Sequence, residues 1–163
     1  MEKVLMVDDD RDFGRMKEGL ESSGKAEANF RGREKGEKKR ILIIEDEDPL
    51  KKLLREVLEQ GQRFEVKEAS DGEEGLKILG EWPADLIITD LVMPNLNGME
   101  IIWRVRKSEL PVKILAISGG ALVGPGEYLE GAKFLGAHRT LSKPFSVDEF
   151  LKTVQVLIDN SPR

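Results

Sequence analysis

From Arg40 to Asn160 the sequence passes five times from a short apolar run into a stretch whose apolar residues recur at helical spacing. The runs cover residues 41–44, 64–69, 85–90, 112–118 and 140–141. Apolar runs without polar alternation suit parallel strands covered on both faces. Strands that alternate with helices at this spacing imply right-handed crossovers and a single parallel sheet with helices on both sides. The helix signals agree. Asp48-Pro49 offers an N-cap and a proline at the first helical position, and Leu50, Leu53, Leu54, Val57 and Leu58 make a stripe that Gly61 would stop. Asp71 is placed to cap a helix with Leu76, Ile78 and Leu79, closed by Trp82-Pro83. Later helices are predicted around Ile101, Ile102 and Val105, over residues 128–135, and from Ser146 or Val147 to about Ile158.

In an open parallel sheet, ligands bind beyond the carboxyl ends of the strands, where the strand order reverses. The residues at those ends are therefore the candidates for chemistry. The first strand ends in Glu45-Asp46-Glu47, the third in Asp90, the fourth in Ser118, and the fifth just before Lys143. Carboxylates gathered this closely repel one another unless a hard cation neutralises them, and a few oxygen ligands that leave room for water suit Mg²⁺. A lysine and a hydroxyl beside such a cation are equipment for holding a phosphoryl group.

Charge and composition narrow the class further. With no cysteine, disulfides and thiolate chemistry are excluded, and no apolar run approaches the roughly 18 residues that span a bilayer. Charged residues interrupt the N-terminus too early for a secretory segment, so the expected location is cytoplasmic. The net charge of −5 argues against nucleic acid as a partner. It is unevenly spread: residues 1–39 hold ten basic and ten acidic groups, leaving 16 against 21 for the remainder. Residues 24–39, GKAEANFRGREKGEKK, read as a charged linker with too little apolar area to offset ordering entropy.

Before that linker lies a partial repeat. At an offset of 37, residues 4–10 (VLMVDDD) fall over 41–47 (ILIIEDE), Phe13, Met16 and Leu20 over Leu50, Leu53 and Val57, and Gly24 over Gly61. Residues 1–23 are thus expected to be a partial copy of the first β-α unit, 24–39 a linker, and 40–160 the main domain. The copy carries acids but no equivalents of Asp90, Ser118 or Lys143. It is expected to pack on a sheet edge or in a partner subunit.

ILIIEDED at 41–48, DLIITDLVMPNLNG at 85–98, LAISGG at 115–120 and TLSKPFS at 140–146 together resemble the receiver domain of bacterial two-component response regulators. The resemblance implies a flavodoxin-like, doubly wound five-stranded parallel sheet in the order 2-1-3-4-5. It implies Asp90 as phosphoacceptor, forming an aspartyl phosphate, with Lys143 pairing the phosphoryl oxygens and Ser118 donating to one of them. Glu45, Asp46, Asp90 and the Val92 backbone carbonyl would hold Mg²⁺. Pro144 matches the family's usual cis proline and Gly98 its tight turn into the third helix. Glu47 is expected outside the first ring of ligands, and His138 on an exposed loop.

One position departs from the family. Thr140 stands where an aromatic residue commonly swings inward, so the signal is expected to run through the loop at 119–126, which includes Gly119 and Gly120. Tyr128 is expected to pack rather than replace that aromatic. The expected function is a phosphorylation-dependent signalling switch rather than an enzyme, with no DNA-binding output domain. Its expected partners are a sensor histidine kinase or histidine phosphotransfer protein and an unidentified downstream protein. Self-association would use the face of the fourth helix, fifth strand and fifth helix, or the N-terminal segment. The alternative is a phosphate-independent interaction module. A haloacid dehalogenase-type phosphatase, suggested by Asp46-x-Asp48, fits poorly because Pro49-Leu50 opens a helix where that family has a Gly-Thr-type turn.

Overall fold

A computed structural model describes residues 37–93, 96–119 and 125–160. The partial copy at 1–23, nearly all of the linker, Gly120 and most of the 119–126 loop lie outside the described residues, as does the side chain of Tyr128. The elements in chain order are β1 (Lys39–Ile44), α1 (Asp48–Glu59), β2 (Phe64–Ala69), α2 (Gly72–Glu81), β3 (Leu86–Asp90), α3 (Gly98–Lys107), β4 (Lys113–Ser118), α4 (Pro125–Leu135), β5 (Arg139–Ser142) and α5 (Val147–Asp159). All pairings are parallel, and the strand order is β2-β1-β3-β4-β5.

The apolar runs are buried on both faces, as their lack of alternation requires. Ile41 and Ile43 of β1 face Leu54 and Leu58 of α1 and Phe150, Val154 and Leu157 of α5. Leu42 and Ile44 face the opposite way, into a cluster with Leu79 of α2, Ile101 and Val105 of α3 and Ala132 of α4. At about 1.5–3 kcal/mol for each fully buried aliphatic side chain, these two clusters hold the sheet between its helical layers.

Local signals explain most helix starts. Asp71, Asn97 and Ser146 each accept the backbone N–H three residues on, capping α2, α3 and α5. The first helix differs from expectation. Its N-cap is Glu47, which has extended backbone and makes no side-chain cap, so Pro49 stands second in the helix. Asp48 pairs instead with Lys51, at 3.1 Å. Gly61 is not the left-handed stop either: Gln62 takes φ 55°, and Gly136 at φ 123° is the described glycine that uses this freedom.

Candidate functional site

Register brings the chemical residues together. Ile44 lies opposite Thr89, which puts Glu45 beside Asp90; Asp90 in turn lies opposite Ile117, and Ser118 opposite Ser142. Lys143 follows Ser142, and its backbone N–H donates to the Ser118 carbonyl at 2.9 Å. One rim therefore receives side chains from four strands, across the point where the chain reverses from β2 to β3.

Asp90 is 5% exposed. Its Oδ1 accepts the Val92 backbone N–H at 3.0 Å, and its Oδ2 accepts from Lys143 Nζ at 2.7 Å. Such charge-assisted bonds fix the direction of a carboxylate. Lys143 also lies 3.6 Å from Glu45 and 3.5 Å from Glu47. Glu45 is 2% exposed, and its Oε2 accepts the Glu47 N–H at 3.1 Å. Glu45, Asp46 and Asp90 each offer a carboxylate oxygen, all within 4.8 Å of one another.

The electrostatics agree with that crowding. Burial is the main force pushing the Glu45 carboxyl up to about 7; the Glu47 N–H and Lys143 lower it, while Asp90 and Asp46 raise it. Burial works against the charge on Lys143, but the bond to Asp90, with the charges of Asp90, Glu45 and Glu47, leaves its affinity for the proton raised. The three carboxylates form a hard-oxygen donor set that fits Mg²⁺, and a divalent ion there would relieve the repulsion at Glu45.

The remaining expected residues can be placed as well. Ser118 is fully buried at the end of β4. Val92 is exposed on the loop after β3. Thr140 is half-buried in β5, opposite Ala116. The Lys143–Pro144 peptide is cis. Gly119 is exposed beside Lys143: a Cβ there would lie 3.5 Å from Lys143 Cδ. Gly98 sits where a Cβ would come 2.2 Å from the Asp90 carbonyl oxygen. Glu47 is exposed yet within reach of Lys143.

His138 corrects its expectation. Rather than sitting free on a loop, it is half-buried, and its Nδ1 accepts the Ile114 N–H at 3.1 Å. Burial, with Arg106 and Lys113 nearby, pushes it down to about 4. Sequence reasoning also missed Lys51. It is 7% exposed, with Nζ 2.6 Å from Ser70 Oγ. The signal was present, because positions 51, 54 and 58 share the inward stripe of α1.

Comparison with known proteins decides the family. Residues 41–155 match the family described as "Response regulator receiver domain". The chain belongs to the response regulator receiver family. A probable chemotaxis protein CheY from Rhizobium etli is 31% identical over 121 residues, 74% of this chain and 93% of that protein. A histidine kinase P4 from Formosa agariphila is 33% identical over 131 residues, 78% of this chain. The cell cycle response regulator CtrA of Brucella ovis is 30% identical over 75% of this chain. The chain spans 9% of that kinase and about half of CtrA. Among solved structures, the Francisella response regulator 1452 receiver domain superposes with a TM-score of 0.66 at 26% identity, covering 76% of this chain and 99% of that one. The Vibrio cholerae chemotaxis protein CheY4 gives 0.64 at 28%, covering 74% and 99%. This receiver thus belongs to two-component signalling, and among its described residues no helix is long and apolar enough to cross a membrane.

Proposed function

We propose that this receiver is a phosphorylation-controlled switch that accepts a phosphoryl group on Asp90 from a phosphohistidine of a sensor kinase or phosphotransfer protein. The observation that carries the reading is the Asp90 carboxylate held by Lys143 at 2.7 Å inside an acidic cluster that fits a divalent cation.

An Asp90 oxygen attacks phosphorus. The new O–P bond forms as the P–N bond to the donor imidazole breaks, and the bonding pair returns to the imidazole nitrogen, which takes a proton from solvent. Lys143 pairs the phosphoryl oxygens as charge builds on them, and the Ser118 hydroxyl donates to one. Glu45, Asp46, Asp90 and the Val92 carbonyl would hold Mg²⁺, which would supply neutralisation of the charge shared between carboxylate and phosphoryl group. The signal leaves through protein contacts, by way of the loop that includes Gly119 and Gly120 rather than through Thr140.

Incubation with Mg²⁺ and acetyl phosphate, read by mass spectrometry, tests this. The expected result is a gain of one phosphoryl group that Asp90→Ala abolishes. No gain in the wild type would leave a phosphate-independent interaction module as the reading.

The N-terminal segment we assign to contacts with a sheet edge or a partner subunit. Supporting this, Phe13, Met16 and Leu20 repeat at the offset of 37 the apolar spacing of Leu50, Leu53 and Val57, while Lys17 and Glu21 stand where α1 has Leu54 and Leu58. Removal of residues 1–23 is expected to change stability or self-association, and a truncated chain unchanged in both would refute the assignment.

A further inference from the structure

Four acids stand in a row at residues 45–48, yet the carboxylate cluster that fits a cation draws on Glu45 and Asp46. Something must orient the loop so that this pair faces Asp90. Glu45 is tied through its backbone, with its N–H on the Ala69 carbonyl at 3.1 Å. Asp46 is exposed, and its direction depends on the path of the chain from Glu45 into α1.

That path is anchored by Lys51. Its stem lies on the inward stripe of α1, and its ammonium is 2.6 Å from Ser70 Oγ at the end of β2 and 3.1 Å from Asp48 at the start of α1. The anchor continues on the other side: the Ser70 N–H donates to Glu74 of α2 at 2.7 Å, and the Glu74 N–H donates to Asp71 at 2.8 Å. The Lys51 N–H meanwhile donates to the Glu47 carbonyl at 2.9 Å. The loop that carries two cation ligands is therefore fastened at both ends to β2. A lysine is an expensive residue to bury for helix packing alone, since its charge must be matched by hydrogen bonds.

Resting on the cation site proposed above, we infer that Lys51 is a positioning residue for Mg²⁺. It fixes the loop at 45–48 through Ser70 and turns Asp48 away from the cation. Partners that orient a ligand without touching the metal typically alter metal affinity by about 10–100-fold. Because Ca²⁺ accepts more oxygen ligands than Mg²⁺, a loosened loop with Asp48 released favours Ca²⁺.

The test is calorimetric titration of the full chain with Mg²⁺ and with Ca²⁺, alongside the thermal midpoint without metal. Lys51→Met is expected to weaken Mg²⁺ binding about tenfold and to shift the Mg²⁺/Ca²⁺ preference toward Ca²⁺. Lys51→Arg, which keeps the charge and a donor for Ser70, is expected to retain most of both. Ser70→Ala removes the anchor and leaves α1 untouched, so it carries the test should Lys51→Met fail to fold. It is expected to move affinity and preference in the same direction. If wild type binds Mg²⁺ and either Lys51→Met or Ser70→Ala keeps affinity and preference within about twofold of it, the inference is overturned. If wild type binds no Mg²⁺, the cation site itself falls, and this inference with it.

Discussion

The Asp90 carboxylate is gripped from two sides, by a backbone amide and by Lys143, and the same lysine is one of the two groups that moderate Glu45. Removing that cation must raise Glu45 further. In Lys143→Met the Glu45 carboxyl, followed by carbon-13 NMR, is expected to titrate above its value of about 7; an unchanged midpoint would mean the two do not interact. Saturating Mg²⁺ should lower the midpoint in wild type. The linkage has a sign: Glu45, raised from 4.5, contributes stability that is present below 4.5 and lost as pH rises through about 7. His138 acts oppositely. Its folded value is depressed from 6.5 to about 4, so the stability it adds is present above 6.5 and lost as pH falls through 4. Asn at this position can still accept from Ile114. The melting temperature of wild type is therefore expected to fall relative to His138→Asn between those two pH values, and a constant difference would refute the role assigned to the imidazole.

Among the elements, the turn from β3 into α3 bears most directly on the site. Its Gly98 N–H donates to the Leu91 carbonyl at 3.2 Å, and a Cβ at this position would run into the Asp90 carbonyl. A methyl group there has nowhere to go but into backbone. Gly98→Ala is expected to cost about 1–3 kcal/mol in urea unfolding and to slow phosphoryl uptake by displacing Asp90; a variant with wild-type values in both would show that the turn adapts. This turn was legible through the family resemblance, and the five strands, the cap at Asp71, the start of α5 near Ser146 and the acids at the strand ends were legible in the residues themselves. Each of the latter is announced by a local cue: an apolar run, an Asp cap, a turn from apolar to acidic residues. What was not legible depends on tertiary partners. The start of α1 shifts because Asp48 pairs with Lys51, His138 is drawn in by the β4 amide of Ile114, and Lys51 is buried because Ser70 waits across the sheet end. None of those partners is a sequence neighbour within reach of a periodicity argument, save Asp48, whose pull on Lys51 competes with capping. The copy at 1–23 and most of the loop at 119–126 lie outside the described residues.

At the scale of the molecule, one sheet separates two apolar clusters and belongs to both, since neighbouring residues of β1, β3 and β4 point into opposite layers. Damage on one side should therefore be felt on the other. Phe150→Ala, in the layer of α1 and α5, is expected to cost about 3–5 kcal/mol. The loss should appear equally in the fluorescence of the two tryptophans, of which Trp82 lies in the opposite cluster, and in circular dichroism. Separate transitions for the two signals would show that the layers unfold independently. The spread of the rim residues along the chain has a further consequence, for synthesis on the ribosome. Glu45 emerges with the first strand, Asp90 with the third and Lys143 last, so a nascent chain carries its acids long before the cation that pairs them. Until β5 docks, Asp90 has no lysine beside it, so on the proposed reading the site for a phosphoryl group is complete only with the finished sheet. On that reading a chain still lacking β5 would be a poor acceptor, and would draw few phosphoryl groups away from complete ones.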